Sequence, residues 1–176
     1  MEDVMAQNNP TPAAELVNAA STAAPAVADR EQQALALVKS YVPWSAGVGL
    51  LPVPLLDMAA LVAVQLRMLS KLSDVYGVSF VENSVKGVVS SLLGSVVSSG
   101  IGAGLGSLVR IVPVVGPLVG IAALPGAYGA ATYAIGRVFI SHFESGGTFL
   151  DFDPQKTRAY FLSEFEKAKV EQPQAA

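Results

Sequence analysis

The sequence predicts an all-α, membrane-associated helical bundle in which a glycine-rich apolar helical hairpin is flanked by amphipathic helices. Apolar residues make up 52% of the 176 residues, and the mean hydropathy is +0.48. Charged residues make up only 14%, against roughly 25% in an ordinary soluble domain. The missing charge is concentrated in two uncharged runs, the 23 residues 87–109 and the 26 residues 111–136.

Composition also excludes several classes of function. A net charge of -3 argues against a nucleic-acid partner, because neutralising phosphates requires a basic surface. The sequence has no cysteine, which excludes disulfides, thiol catalysis and cysteine-based zinc sites, and its single histidine excludes a histidine-rich metal site. It also contains no Gly-x-Ser-x-Gly nucleophile motif and no phosphate-loop motif. We therefore predict a non-enzymatic protein without catalytic residues, cofactor or metal, and interpret His142, near Glu144, as an interfacial residue.

The chain divides into one domain and two short ends. Residues 1–27 are rich in Ala, Asn, Pro, Ser and Thr without a sustained period, which predicts a disordered tail. They lack the basic start and apolar run of a secretory signal, so we expect the chain to begin in the cytoplasm. Residues 28–170 are predicted to form a single helical domain, and residues 171–176 are expected to fray.

Two helices are predicted before the uncharged runs. The spacing of apolar residues predicts a first helix that begins at Asp29 and ends at Pro43. The second helix is predicted to begin near Pro54, with Asp57 in its first turn, where a carboxylate is stabilised by the helix dipole. Gly77 is expected to cap the end of this helix.

The two uncharged runs predict a helical hairpin from about residue 87 to 136, with its turn near Arg110. Each run exceeds the roughly 20 residues that a helix needs to cross a bilayer. Of the 11 Lys and Arg residues, only Arg110 would lie at the hairpin tip, which agrees with the positive-inside rule. The Ser and Gly content of the first run and the prolines Pro113, Pro117 and Pro125 favour the alternative, in which these helices are buried in the protein's own core.

Local sequence also predicts the end of the domain. The helix after the hairpin is expected to stop at Gly146 and Gly147. Asp153 before Pro154 is typical of an N-cap followed by a first-turn proline, which predicts a last helix to about Lys169. Three aromatic residues of that helix are expected to face a partner surface: Tyr160, Phe161 and Phe165.

Pairs of glycines four residues apart predict close helix packing. They leave one helix face without side chains, which allows another helix to approach. Their spacing does not fit a dinucleotide-binding fingerprint, and a flexible hinge or a ligand loop are the alternatives. The glycines are Gly100 with Gly104, Gly102 with Gly106, and Gly116 with Gly120.

Asp57 and Gln65 are candidate functional polar residues, because they lie beside apolar stripes and about 80° apart on one helix. Such a pair could serve as an ion relay or an oligomer contact. The simpler interpretation, which we favour, is that Asp57 stabilises the start of its own helix. Three aromatic residues fit a bilayer edge or a core equally well: Trp44, Tyr128 and Tyr133.

Several motifs occur in an order that is typical of a known family. They are a Pro-x-x-Asp start and a Gln-Leu-Arg-Met run within residues 50–78, the IVPVVG turn, and a Gly-Arg-Val-Phe-x-x-x-Phe-x-x-Gly-Gly block within residues 129–161. Over about residues 34–167 the chain resembles the YcjF-like bacterial family, a domain of unknown function. The resemblance implies an all-helical membrane protein linked to an Era-like GTPase domain, and it implies no catalytic residues. Because this chain lacks GTPase motifs, the implied GTPase would act from another chain.

Three functions follow from these observations. We favour a non-enzymatic scaffold or anchor at the bacterial inner membrane, with both termini cytoplasmic, and with the lipid bilayer, a GTPase in trans and a second copy of the chain as its expected partners. The alternative is a soluble or peripheral helical interaction or regulatory module. A small pore or transporter component is a third and weaker hypothesis, and it depends on Asp57 and on the helices rich in small residues.

Overall fold

The structure, a computed structural model, describes the backbone of residues 12–50, 56–99 and 116–171, and the side chains of 27–50, 58–99 and 124–171. Over these residues the chain is helical and contains no strand, which confirms the predicted all-α class. The helices are α1 (Pro12–Val48), α2 (Leu56–Tyr76), α3 (Glu82–Ser98), α4 (Gly116–Glu144) and α5 (Pro154–Glu171).

Helix α4 is the centre of the bundle. It contacts each of the other four helices, and most extensively α1 and α5. Arg137 is the only charged residue of α4 between Tyr128 and Ile140, as expected of a helix largely enclosed by others. Between Tyr128 and Ile140 only Tyr133 and Arg137 are partly exposed, while every other residue is buried. The core is therefore built around α4.

The first helix is longer at both ends than the sequence predicts. It begins at Pro12, inside the segment predicted as a disordered tail, and continues through Pro43 to Val48. Alanine, the strongest helix former, is frequent between residues 13 and 26, and proline is well tolerated in the first turn of a helix. Pro43 costs one backbone hydrogen bond, and packing of α1 on α4 maintains the helix beyond it. The predicted end at Pro43 is wrong for this reason.

The helix ends that depend on local chemistry are confirmed. Gly77 and Gly146 have φ of 66° and 81°, a left-handed conformation that glycine adopts without strain. Asp153 caps α5, because its Oδ1 accepts hydrogen bonds from the backbone N–H groups of Gln155 at 2.9 Å and Lys156 at 3.3 Å.

The aromatic residues of α5, which the sequence predicts to face a partner surface, are mostly buried within this chain. Phe161 and Phe165 lie buried in the core of this chain, and only Tyr160 is exposed. They were expected to face a partner, but the extensive packing of α5 on α4 buries them within the bundle.

The predicted hairpin is described only in part. Five apolar residues of α3 are buried in the core. Val85 precedes the first uncharged run, and the other four lie within it: Val88, Val89, Leu92 and Leu93. In the described part of the chain, no helix is both long and apolar enough to cross a bilayer. The turn predicted at Arg110 and the predicted packing glycines Gly100, Gly102, Gly104 and Gly106 lie outside the described residues. Gly116 and Gly120 belong to the backbone of α4, but their packing lies outside as well.

Charged groups cluster where α2 ends and α4 ends. The Tyr76 hydroxyl donates a hydrogen bond of 2.6 Å to Oε1 of Glu144, and burial together with this bond raises the pKa of Tyr76 well above its ordinary value. Arg137 links three helices, since its guanidinium lies 3.3 Å from Glu31 on α1 and 3.7 Å from Glu164 on α5. These contacts give one end of the bundle a charged surface.

Candidate functional site

A buried polar triad joins α1, α2 and α4 at one level of the bundle. The Gln65 amide nitrogen donates a hydrogen bond of 2.7 Å to the hydroxyl of Thr132, which lies 2.5 Å from the hydroxyl of Ser45. All three residues are fully buried. Because they touch, the triad marks the same height on three helices.

On one side of this triad, toward the end of α1, the described side chains of α1, α2 and α4 include no charged residue. These side chains belong to residues 46–50 of α1 and the turn after it, 58–64 of α2 and 124–131 of α4. Helix α1 ends on this side, and α2 and α4 begin there. We call these three segments the apolar end. Asp57 lies in the first turn of α2, and its side chain lies outside the described residues.

The apolar end exposes large apolar side chains. Leu50 is 65% exposed, Met58 is 42% exposed, and Trp44, one residue below the triad, is 72% exposed. Gly49 explains the position of Leu50, because a Cβ on Gly49 would lie 2.9 Å from the backbone nitrogen of Pro125. The chain after α1 therefore rests directly on the backbone of α4, and the next side chain projects into solvent.

On each of α1, α2 and α4, the first charged residue beyond the triad, on the side away from the apolar end, is basic. Arg67 lies two residues, Arg137 five and Lys39 six residues further along their helices. At a rise of 1.5 Å per residue, these offsets are roughly 3 to 9 Å. Arg137 is paired with Glu31 and Glu164, whereas Arg67 and Lys39 form no ion pair within the described residues. On α1, α2 and α4 the charges nearest the apolar end are therefore basic, while Arg137 is balanced by two carboxylates and Glu171 of α5 lines a cavity with Lys39.

Trp44 lies one residue beyond the triad, between the apolar tip and Arg67, and Tyr41 lies four residues beyond the triad, past the level of Arg67. A cavity of about 460 Å³ is lined by Tyr41 and Trp44 of α1 and by Val64 and Arg67 of α2. From the tip, the exposed and half-buried side chains are therefore first apolar, then Trp44, and then a mixture of basic residues with Tyr41. This is the order in which proteins present side chains to acyl chains, to the membrane interface and to lipid headgroups.

The two polar residues singled out in the sequence, Gln65 and Asp57, have different positions in the structure. Gln65 is bonded to Thr132 inside the core, which accounts for it as a packing residue, and Asp57 is placed in the first turn of α2 as predicted. The aromatic candidates also separate, since Tyr128 is buried, Tyr133 is half-buried and Trp44 is exposed.

His142 serves the loop between α4 and α5. Its Nε2 lies 2.8 Å from the carbonyl oxygen of Thr148 and 3.8 Å from Asp151. Gly147 lies directly beneath the ring, where a Cβ would meet the imidazole at 2.4 Å. Among the side chains that the structure describes, no three His, Asp or Glu residues are grouped so that they could hold a metal ion.

Sequence reasoning missed several residues of this region. Ser45 and Thr132 are isolated hydroxyl residues in apolar stretches, and that isolation is the feature that could have identified them as buried hydrogen-bonding groups. Arg67 is the first cation of α2 and follows nine residues without charge. Gly49 has no such feature, because its role depends on Pro125 in another helix.

Comparison with known proteins places this architecture in a family. The family described as "Domain of unknown function (DUF697)" matches residues 13–168. The chain belongs to the DUF697 family. A relative, "Magnetosome membrane protein 22" of Magnetospirillum gryphiswaldense, is 41% identical over 135 residues, which cover 76% of this chain and 69% of that protein. No solved structure matches the chain.

The DUF697 match includes the whole triad and the whole apolar end, since it extends from the second residue of α1 to Ala168 in α5. The features described above therefore belong to the family domain. The family description itself gives no activity, so the function must be argued from the geometry.

The triad makes a testable prediction about stability. Oε1 of Gln65 is buried without a hydrogen-bond partner in the described part of the chain, whereas the Thr132 hydroxyl also lies 3.0 Å from the Tyr128 carbonyl. We expect Thr132→Val to lower the free energy of unfolding by about 2 kcal/mol, because it leaves the Gln65 amide unpaired. Gln65→Met, which removes the unpaired oxygen, should stay within about 1 kcal/mol of the wild type. Urea unfolding measures both, and a larger loss for Gln65→Met would contradict this account.

Proposed function

We propose that this protein is a non-enzymatic scaffold or anchor that associates with a bacterial membrane by placing its apolar end among the lipids. The observation that carries the proposal is the order of side chains at that end. Leu50 and Met58 expose apolar surface, Trp44 lies below them, and the first charges are Lys39, Arg67 and Arg137. Exposed apolar surface rimmed by polar groups marks a binding surface, and basic residues favour anionic lipids.

The relative supports the membrane part of the proposal. It is named a magnetosome membrane protein, and the aligned region is long enough to include most of the domain. Nothing in that name indicates a reaction, and the buried polar groups described above are explained by packing. A structural role at a membrane is therefore the function that the observations favour.

Other parts of the proposal come from the sequence. We propose the bacterial inner membrane as the location, with both termini cytoplasmic. We propose a GTPase in trans and a second copy of the chain as partners. A reporter at Arg110 tests the inserted hairpin, because it should be periplasmic if residues 87–136 cross the bilayer and cytoplasmic if the protein only enters one leaflet. A carbonate wash separates the two arrangements as well. An inserted hairpin should stay in the membrane fraction, whereas recovery of the protein in the wash supernatant would exclude insertion.

The membrane role predicts a change that can be measured with the natural fluorophore. Trp44 is the only tryptophan in the chain and is 72% exposed, so insertion into vesicles should shift its emission to shorter wavelength. Leu50→Glu should weaken vesicle binding at least about tenfold, because burying a leucine in an apolar phase is worth about 1.5 to 3 kcal/mol and the new charge opposes insertion.

The chain offers a matched control for this variant. Leu150, in the loop between α4 and α5, is 77% exposed and lies far from the apolar end in the fold. Leu150→Glu introduces the same charge at a similarly exposed leucine and should leave vesicle binding unchanged. The proposal fails if Leu50→Glu binds vesicles as the wild type does, or if Leu150→Glu loses as much binding.

A further inference from the structure

Arg67 is one of a few cations on the described surface without a partner. Ten Lys and Arg side chains are described, and five of them form ion pairs: Lys71, Arg137, Lys156, Lys167 and Lys169. Arg30 lies over the ring of Tyr76 and Arg158 donates a hydrogen bond to Ser98, which leaves Arg67, Lys39 and Lys86. Arg67 is exposed and has no hydrogen bond or ion pair within the described part of the chain. Glu82 lines a second cavity that also includes Arg67, but it does not pair with the guanidinium. The guanidinium of Arg67, whose N–H groups have no acceptor in the described part of the chain, therefore lines the cavity beside Trp44.

The walls of this cavity select the kind of anion that would fit. Tyr41, Trp44 and Val64 supply aromatic and aliphatic surface, and Arg67 supplies the single charge. A guanidinium donates two parallel hydrogen bonds to a phosphate, which makes arginine well suited to bind one. A free phosphate would gain nothing from the apolar walls, whereas a phospholipid would place its phosphate on Arg67 and the start of its acyl chain against Val64.

The height of the cavity agrees with this occupant. Arg67 lies nine residues after Met58, which is exposed at the apolar end, and this corresponds to roughly 13 Å along α2. An element that lies in the membrane interface buries its apolar face by roughly 5 to 10 Å into the boundary between headgroups and acyl chains. If Met58 enters that boundary, Arg67 is at the level of the headgroup phosphates.

We propose that the cavity formed by Tyr41, Trp44, Val64 and Arg67 binds the headgroup phosphate of an anionic glycerophospholipid. The inference rests on the proposed membrane association and adds the lipid chemistry and the residue that recognises it. Arg67 binds the phosphate, Trp44 and Tyr41 flank the headgroup, and Val64 contacts the upper acyl chain. A zwitterionic lipid carries the same phosphate together with an ammonium group, whose positive charge is repelled by Arg67, so the site would favour lipids without that group, in addition to the general attraction of the basic residues.

The test compares the full-length wild type with three variants on two kinds of vesicle, phosphatidylcholine alone and phosphatidylcholine mixed with phosphatidylglycerol, with Trp44 emission as the readout. Arg67→Gln should lower the affinity for the mixed vesicles about fivefold and leave binding to phosphatidylcholine unchanged. Arg67→Lys retains the charge but not the paired donors, so it should fall between the wild type and Arg67→Gln.

Lys39→Gln is the control for charge alone. Lys39 is another cation without an ion pair in the described part of the chain, but it lines a different cavity that also contains Glu171. Its loss should reduce affinity for the mixed vesicles less than twofold. The inference is overturned if Lys39→Gln and Arg67→Gln have equal effects, if Arg67→Gln binds like the wild type, or if millimolar inorganic phosphate abolishes the difference between them. Failure of the membrane role itself would look different, because the wild type would then bind neither kind of vesicle.

Discussion

Gly136→Ala is expected to lower the free energy of unfolding by about 3 kcal/mol, although alanine is the better helix former. A Cβ at Gly136 would lie 2.4 Å from both methyl carbons of Val38 and 3.0 Å from its Cβ. This contact joins α1 to α4, one of the most extensive helix interfaces of the bundle. Because both residues are buried, the added methyl group can be accommodated only by separating the two backbones, which opens the core around them.

Gly126 provides the control in the same helix. A Cβ there would meet no atom within 4 Å, so Gly126→Ala should be neutral or stabilise the protein by up to about 1 kcal/mol. Adding Val38→Ala to Gly136→Ala should recover part of the lost stability, because it removes the methyl carbons that clash. Urea unfolding of the four proteins measures these differences, and equal stability of the Gly136→Ala and Gly126→Ala variants would contradict the close contact.

The features that the sequence predicts correctly depend on neighbouring residues. The left-handed glycines at Gly77 and Gly146 and the Asp153-Pro154 cap are determined by the backbone preferences of a few adjacent positions. The helical class follows from the spacing of apolar residues in the same way. Each of these properties can be read within one or two helical turns.

The features that it misses depend on residues far apart in the chain. Gly136 is not part of a pair of glycines four residues apart, and its importance comes from Val38 on another helix. Pro43 would end an isolated helix, yet packing on α4 extends α1 to Val48. The partner of Gln65 is Thr132, which no local pattern connects to it. Tertiary packing decides all three, and a single sequence does not contain that information directly.

Hydrophobicity alone also does not distinguish a helix that is buried in a protein core from one that is buried in lipid. The first uncharged run is predicted as one half of a membrane hairpin, yet α3 places Val88, Val89 and Leu92 of that run in the core. A helix that packs in a protein and a helix that packs in lipid share the same lack of charge. Exposure in the folded bundle is more informative, because the apolar end leaves Leu50 and Met58 exposed in segments without described charges.

Phe139→Ala is expected to cause the largest loss of stability, about 4 kcal/mol, and to release the loop between α4 and α5. Phe139 is fully buried, and its ring stacks on Phe152 with centroids 4.6 Å apart. Phe149 and Phe143 contact the same ring at centroid distances of 5.3 and 5.7 Å. Since two of these partners belong to the loop, removing the ring takes away the apolar contacts that hold residues 145–153 against α4. Urea unfolding measures the loss, and limited proteolysis should show new cleavage in the loop.

This variant also separates the stability of the fold from the proposed membrane role. Phe139 lies seven residues beyond Thr132 on the side away from the apolar end, roughly 10 Å along α4. At a temperature where the protein is still folded, Phe139→Ala should therefore shift the Trp44 emission with vesicles as the wild type does. Phe139→Leu, which fills most of the space, should retain more of the stability and the protection of the loop. If folded Phe139→Ala lost vesicle binding while Leu50→Glu kept it, the membrane surface would have to lie at the aromatic cluster and not at the apolar end.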